Sequence, residues 1–511
     1  MNLIKKYISI AFSALFVFSS AVSSPVEAAK NFSYEVIDKN KKTAILTKID
    51  TNKHLKLKDP IDGYSIIEVA NNASSFKQIK NRHLLSKIGY AALAVPIPLI
   101  LRTKPAKRAF KTDISFTGPK ITAVNLPNCV RVGECGFAFC NKLKTIDLPK
   151  CQNLEGSSLY GCTSITKLNI PQCKRIDDIF DNTRFSHIRS HDFFGEIYKK
   201  YSHKEYSKFE ELNAPRCTEI TGGSLSNFEK LKEVNLQSCK KIGAGVFGGC
   251  KSLKTLDLPN FTEVLTYNDG RTLCGIFEDC ENLESINIPK LTSTNNRCFM
   301  NCKALKKIDL SKCKETKQSC CENCTSLTTA LLDASTEIGN FAFKNCNSLE
   351  NVRMPNVVSI GEGAFYGTAL KRVDLPNCNS IGKAAFNDCK KLTVFNSPNI
   401  TSIGESAFEG CENLEEIELP NCTVLGKNAF KNCKKLSSFN APKLEEIGED
   451  AFAGDESLVE VSFPDCKVIK QDAFKNCYKL KKITIPKSCK LEENSFPYDL
   501  VIDGKLKVVR I

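Results

Sequence analysis

Cysteine and histidine are the side chains in this sequence whose number and spacing could do chemistry. The 511 residues include 26 cysteines and five histidines. His187 and His191 stand four apart, one helical turn, with Asp192 next to them, a spacing that can set two imidazoles on one face for a metal ion. Ile188 follows His187, so the general-base Glu of an H-E-x-x-H site is missing. The cysteines recur in pairs such as Cys378 and Cys389, which invites a redox or disulfide reading, yet no histidine recurs with them. The chain has no G-x-S-x-G, no P-loop and no G-x-G-x-x-G ahead of a helix, so acyl transfer and nucleotide chemistry have no sequence support. The expectation is a protein that is not an enzyme and carries no cofactor and no metal. A metal-dependent centre at His187, His191 and Asp192 stands as the competing reading of that segment.

The elements that would have to position these groups emerge when the chain is aligned on itself. Phe343, Phe365, Phe386, Phe408, Phe430, Phe452, Phe474 and Phe496 recur in steps of 22 residues, with one step of 21. A period this strict means stacked units that bury their apolar faces on one another. With Leu414 as position 1, one unit reads L-x-x-I-x-L-x-x-C-x-x-L-x-x-x-x-F-x-x-C, through Ile417, Leu419, Cys422, Leu425, Phe430 and Cys433. Apolar alternation at Ile417 and Leu419 predicts a half-buried strand, and Pro420 ends its pairing because proline has no N–H. Gly426 permits a sharp turn, and "KNAFKNC" predicts a short helical turn carrying Phe430 inward.

The phrase "LPNCxxIGxxAFxxCxxL" resembles the BspA-like leucine-rich repeats of bacterial and protist surface proteins. Sixteen units begin between Ile121 and Leu480, so the resemblance covers residues 121–496. It implies an α/β fold class: a leucine-rich repeat solenoid with a parallel concave β-sheet and short helical or irregular convex segments. Residues 1–28 read as an export signal, with Lys5 and Lys6 before the apolar run Ile8–Phe18 and the small-residue site Val26-Glu27-Ala28. Residues 29–120 form an N-terminal cap region: "FSYEVIDKNKKTAILTKID" reads as a hairpin and "LKLKDPIDGYSIIEVANNAS" as a degenerate unit. Residues 497–511 read as a C-terminal cap, and insertions break the period at 181–208 and 266–273.

The repeat also reassigns the cysteines. Nine occupy position 9, where other units carry Phe261, Leu291, Ser335, Val357, Ile400 or Leu444, and eleven occupy position 20, where Thr368 and Asp455 are the exceptions. A slot that accepts Phe, Leu, Val and Ile is apolar, and free cysteine behaves as a small hydrophobe. Buried thiol ladders are therefore the leading reading and inter-coil disulfides the alternative. The off-ladder residues Cys135, Cys274, Cys298, Cys320, Cys321 and Cys489 are the candidates for bridges.

Function is then sought on the strand face. Position 5 points away from the core and is Asn or Asp in eleven of sixteen units, although strands usually avoid both. Two readings are compatible: side-chain amides and carboxylates bonded along the stack, and a polar concave surface for an extended ligand. Asn287, Asp309, Leu331, Arg353, Asp374 and Asn396 are the candidate ligand-binding residues, because Leu331 and Arg353 interrupt the polar series. In the larger insertion Phe193, Phe194, Tyr198 and Tyr201 have the aromatic character of contact surfaces. The formal charge of +15 favours anionic partners only diffusely, since lysine is spread along the whole chain. Gly89–Leu101 is too short and too proline-rich to span a bilayer, so no transmembrane anchor is expected, and no LPxTG-type sorting motif is present. The resemblance implies a secreted or cell-surface protein that binds a protein or extracellular matrix ligand in adhesion. The alternative is a cell-envelope scaffold or accessory protein for acidic polymer such as an acidic glycan. No specific nucleic acid is expected as partner.

Overall fold

Two short strands per repeat, set by the two alternating apolar stretches of each unit, build the chain in a computed structural model. It describes residues 32–38, 43–49, 55–58, 65–69, 120–133, 136–177, 179–180, 208–221, 224–265, 275–497 and 506–511. The chain divides into two compact units, 1–163 and 164–511.

In the first unit Phe32–Asp38 pairs antiparallel with Thr43–Ile49, which pairs parallel with Ser65–Val69 and, through it, with Arg131–Val132 and Asn153–Leu154. A second line runs in parallel through Leu55–Lys58, Ile121–Asn125 and Thr145–Asp147. The segment 55–69 thus supplies one strand to each line, as a full repeat does.

In the second unit each coil opens with a strand of three residues, or four in Lys482–Ile485, with a middle side chain turned toward the core, as in Glu416–Glu418 and Ser438–Asn440. A second strand of two or three residues follows, such as Val424–Leu425, and from Glu315–Thr316 to Lys490–Leu491 nine of these pair in unbroken parallel order. The first-strand line is interrupted. Lys307–Asp309, Thr329–Leu331 and Asn351–Arg353 form one sheet, and Arg372–Asp374 begins the next. This interruption falls at the 21-residue step between Leu349 and Leu370. The second-strand line runs through it, with Ile360 opposite Ile381.

The expected helical segments are corrected here: among the described residues there is no helix, so the α of the α/β assignment falls away and the fold is a parallel β-solenoid of stacked coils. The cause lies in two residues per coil. Asn428 and Asn432 have φ of 56° and 62°, the left-handed region, and Asp450 and Gly454 repeat this one coil on. Left-handed residues reverse the turn sense, so an α-helix cannot propagate through them. The N–H groups of Asn428, Phe430 and Asn432 instead donate to the carbonyls of Glu449, Ala451 and Ala453 in the next coil at 2.8–2.9 Å. Those of Ala429, Lys431 and Cys433 turn back within the coil at 3.0–3.3 Å. "KNAFKNC" is therefore a third line of inter-coil hydrogen bonding. Asn, Asp and Gly suit it because they tolerate positive φ.

The core lies between these lines. From Phe343 to Phe474 successive rings stack at centroid distances of 5.1–5.7 Å with planes within 12°. Full burial of each ring contributes about 1.5–3 kcal/mol. The "LPN" phrase has its own logic. Proline offers no N–H to the coil below, and the asparagine side chain donates in its place: Asn377, Asn399 and Asn421 reach the carbonyls of Pro355, Pro376 and Pro398 at 2.7–3.0 Å.

Candidate functional site

The first and third residues of each first strand face outward, because the middle residue is committed to the core, and the candidate residues occupy the third place. Parallel register with a 22-residue offset then stacks identical positions directly over one another. Asp309, Leu331 and Arg353 are opposite one another on adjacent strands, Asp374 stands opposite Asn396, and Asn287 opposite Asp257. The six candidate residues therefore fall into three hydrogen-bonded groups rather than one continuous row.

The polar ladder forms in an earlier sheet and in two of those groups. Asn235 donates to Asn213 at 2.8 Å and Asn213 to Asn169 at 2.6 Å; Asn287 donates to Asp257 at 2.7 Å and Asn396 to Asp374 at 3.4 Å. Arg372 forks onto Asp374 with Nε–Oδ2 at 2.6 Å and Nη2–Oδ1 at 2.8 Å, and that guanidinium holds the carboxyl below the usual carboxylate range. The central group differs. Asp309 accepts from its own chain at Ser311 N–H, Leu331 is half-buried, and Arg353 reaches to Asp333 at 2.6 Å while remaining largely exposed. An apolar side chain with a carboxylate on one side and a guanidinium on the other thus sits where the amide ladder stops.

The cysteines of the position-9 and position-20 ladders serve within the stack as donors and packing atoms. All 24 described cysteines are free and buried, Cys298, Cys320, Cys321 and Cys489 among them. At position 20 each thiol reaches the carbonyl of the preceding coil's core residue, as Cys411 to Phe386, Cys433 to Phe408 and Cys477 to Phe452 at 3.1–3.2 Å. At position 9 most thiols turn to their own coil, as Cys378 to the Ser380 carbonyl at 3.3 Å, whereas Cys313 donates to Leu291 of the preceding coil at 3.4 Å. Burial pushes Cys378 and Cys422 up to about 11 and Cys389 up to about 12, so these sulfurs stay protonated at neutral pH, the form with least nucleophilicity.

Phe193, Phe194, Tyr198 and Tyr201, His187, His191 and Asp192, the turn at 266–273, Cys135 and Cys274, the signal segment 1–28 and the stretch Gly89–Leu101 all lie outside the described residues. Among the described residues no cluster of His, Cys, Asp or Glu side chains is arranged to hold a metal ion, and no helix is long and apolar enough to cross a membrane. Sequence reasoning missed the left-handed ladder. Its signal is present all along as the Asn, Asp or Gly that precedes the position-20 cysteine, in "NC", "DC" and "GC".

Comparison with known proteins follows the same line. A model of the BspA-type leucine-rich repeat region matches residues 112–193, 176–269, 274–393, 314–435 and 379–501. Similar solved structures include a leucine-rich repeat protein of Bacteroides ovatus, 18% identical over 91% of this chain and 90% of that one, with a TM-score of 0.43. Another is a leucine-rich cell surface protein of Faecalibacterium prausnitzii, 15% identical over 96% and 99%, with a TM-score of 0.31. The pneumococcal vaccine antigen PcpA is 14% identical over 96% and 100%, with a TM-score of 0.35. No curated protein sequence matches the chain. With strand, turn and core positions of the repeat accounted for over well more than half its length, the chain belongs to the BspA-type leucine-rich repeat family.

Proposed function

We propose that this is a secreted or surface-exposed repeat protein that binds a protein or matrix ligand through its first-strand face, centred on Asp309, Leu331 and Arg353. The carrying observation is the interruption of the amide ladder there, where Leu331 and the exposed Arg353 replace side chains that elsewhere bond to one another. An accessible arginine is among the side chains that interface centres favour, and the half-buried leucine beside it adds apolar surface. Family membership supports a binding role, because a stacked repeat presents an extended surface built from one position per coil. The pattern of residues 1–28 supports export.

The test is a binding measurement of the labelled full chain on immobilised host-cell or matrix preparations, against the double substitution Leu331→Asp with Arg353→Glu. Loss of binding by at least about tenfold in a variant that keeps its circular dichroism is the expected result. Undiminished binding removes the patch. The second reading, an acidic polymer ligand, rests on the excess of 72 Lys and Arg over 57 Asp and Glu. It predicts binding that weakens steeply with salt, since interactions of exposed charges are screened.

A further inference from the structure

The C-terminal end of the coil stack brings two sulfurs together. The last coil keeps the 22-residue step, with Ile469 opposite Leu491, but its cysteine is displaced by one: an exposed Ser488 falls at position 9 and Cys489 follows it. Cys489 takes over that place. Its N–H bonds to the carbonyl three residues back, Pro486, as the N–H of Cys466 bonds to Phe463. The two thiols lie on adjacent coils, with Cys489 Sγ donating to Cys466 Sγ at 3.6 Å. Position-9 thiols elsewhere donate to the carbonyl two residues on, as Cys378 to Ser380 at 3.3 Å and Cys466 to Val468 at 3.5 Å, whereas Cys489 reaches the carbonyl of Lys490, one residue on, at 3.8 Å, so the sulfur is the nearer partner.

The location gives the pair a role. Lys507–Arg510 pairs with the first strand of the last coil, covering that line. On the second-strand line, Lys490–Leu491 is the final strand among the described residues. Arg510 partly compensates: its Nη1 donates to the carbonyls of Pro486, Lys487 and Cys489 at 3.2, 3.4 and 2.9 Å. A terminal coil with neighbours on one side opens first in a stacked array. Strands in one sheet lie about 4.8 Å apart, within the Cα separations that a disulfide spans.

We propose that Cys466 and Cys489 are a disulfide-forming pair that covalently fastens the last coil to the one before it. In the presence of a small-molecule disulfide such as oxidised glutathione, the Cys489 thiolate attacks one glutathione sulfur and releases the other as a thiolate. The Cys466 thiolate then attacks Cys489 Sγ in the mixed disulfide and releases the second glutathione. One S–S bond breaks and one forms, the two cysteine protons pass to the two glutathione thiolates, and two electrons move from protein to glutathione. This proposal is independent of the binding role.

The experiment uses the full chain, reduced and then incubated folded with oxidised glutathione, alkylated in denaturant and cut with trypsin without reduction. Each partner lies in a tryptic peptide with one cysteine, Leu444–Lys467 and Ser488–Lys490, so the linked pair has a unique mass. The expected result is that linked pair, together with amide exchange over Leu480–Phe496 slowed at least about tenfold and restored by dithiothreitol. Absence of the linked peptide, or its presence with unchanged exchange, overturns the staple. Cys466→Val is the control, because Val357 already fills the equivalent slot. In folded Cys466→Val, glutathione is expected to remain on Cys489 as a mixed disulfide. A bridge from Cys489 to another cysteine in that variant would also overturn the assignment.

Discussion

Asp455 is the residue that departs furthest from the logic of its position. It stands in the position-20 ladder among thiols, fully buried, with Oδ1 accepting from Cys433 N–H at 2.8 Å and Oδ2 without a partner. Every cysteine in that ladder is a donor, and a carboxyl can act as one only when protonated. Burial holds its acid well above the usual carboxylate range. The folded-state pKa therefore exceeds the unfolded value of about 3.9. Its stabilising contribution is complete below that unfolded value and is lost as pH rises toward and through the folded one. Asp455→Cys, which restores the ladder, is expected to raise stability at pH 8 by about 1–3 kcal/mol and to flatten the decline between pH 5 and pH 8. Denaturant midpoints at the two pH values check this, and parallel slopes for both proteins would contradict it. The position-20 thiols in the interior of the stack, such as Cys389, resist chemistry for the same reason of burial.

At the scale of the element, the turn segment is where backbone conformation rather than side-chain packing decides the structure. Asn432 has φ 62° and lies in the line that donates to the next coil. Asn432→Ala is expected to cost about 1–2 kcal/mol because alanine resists that region, whereas Asn432→Gly stays within a few tenths. Gly454→Ala should be worse than Asn432→Ala. Its φ is +82° and the new Cβ would meet Asn432 Oδ1 at 2.5 Å. Urea midpoints for the three variants rank them, and an Asn432→Ala variant as stable as Asn432→Gly would show that the left-handed line is not what matters. The first-strand element is looser in its requirements, since its hydrogen-bonded line breaks at the 21-residue step between Leu349 and Leu370 and also at the 22-residue step between Leu436 and Leu458, while the second-strand line continues through both.

For the whole molecule, stability is the sum of many similar coil-on-coil contacts, so sulfur content and surface charge act as bulk properties. The folded reduced chain should react with a thiol reagent at few positions over minutes, because all 24 described thiols are buried. In denaturant all 26 should react. Rapid reaction of many thiols in the folded chain would refute the ladder reading. Charge is distributed in the same repetitive way. Lys251 with Glu229, Lys306 with Glu284 and Lys467 with Glu445 pair at 2.6–3.5 Å between coils 22 residues apart, leaving the surplus of lysine as a diffuse field. Such exposed pairs contribute little individually.

The period of 22, the apolar slots, the strand around Ile417 and the inward Phe430 were legible in the sequence, because burial constrains residue type identically in every coil. So was the burial of Cys378 and Cys389, inferred from what replaces them elsewhere. The turn segment was not, since "KNAFKNC" has the same small and polar composition as a helical turn. Only its hydrogen bonds to the next coil distinguish the two, and those join residues distant in sequence. The division of the six candidate residues into separate groups was likewise hidden, since the first-strand line breaks both at the 22-residue step between Leu283 and Leu305 and at the 21-residue step between Leu349 and Leu370. The approach of Cys489 to Cys466 required the same knowledge. A local pattern records which face of an element is buried, whereas the partner across the stack is set by register, which tertiary structure alone decides.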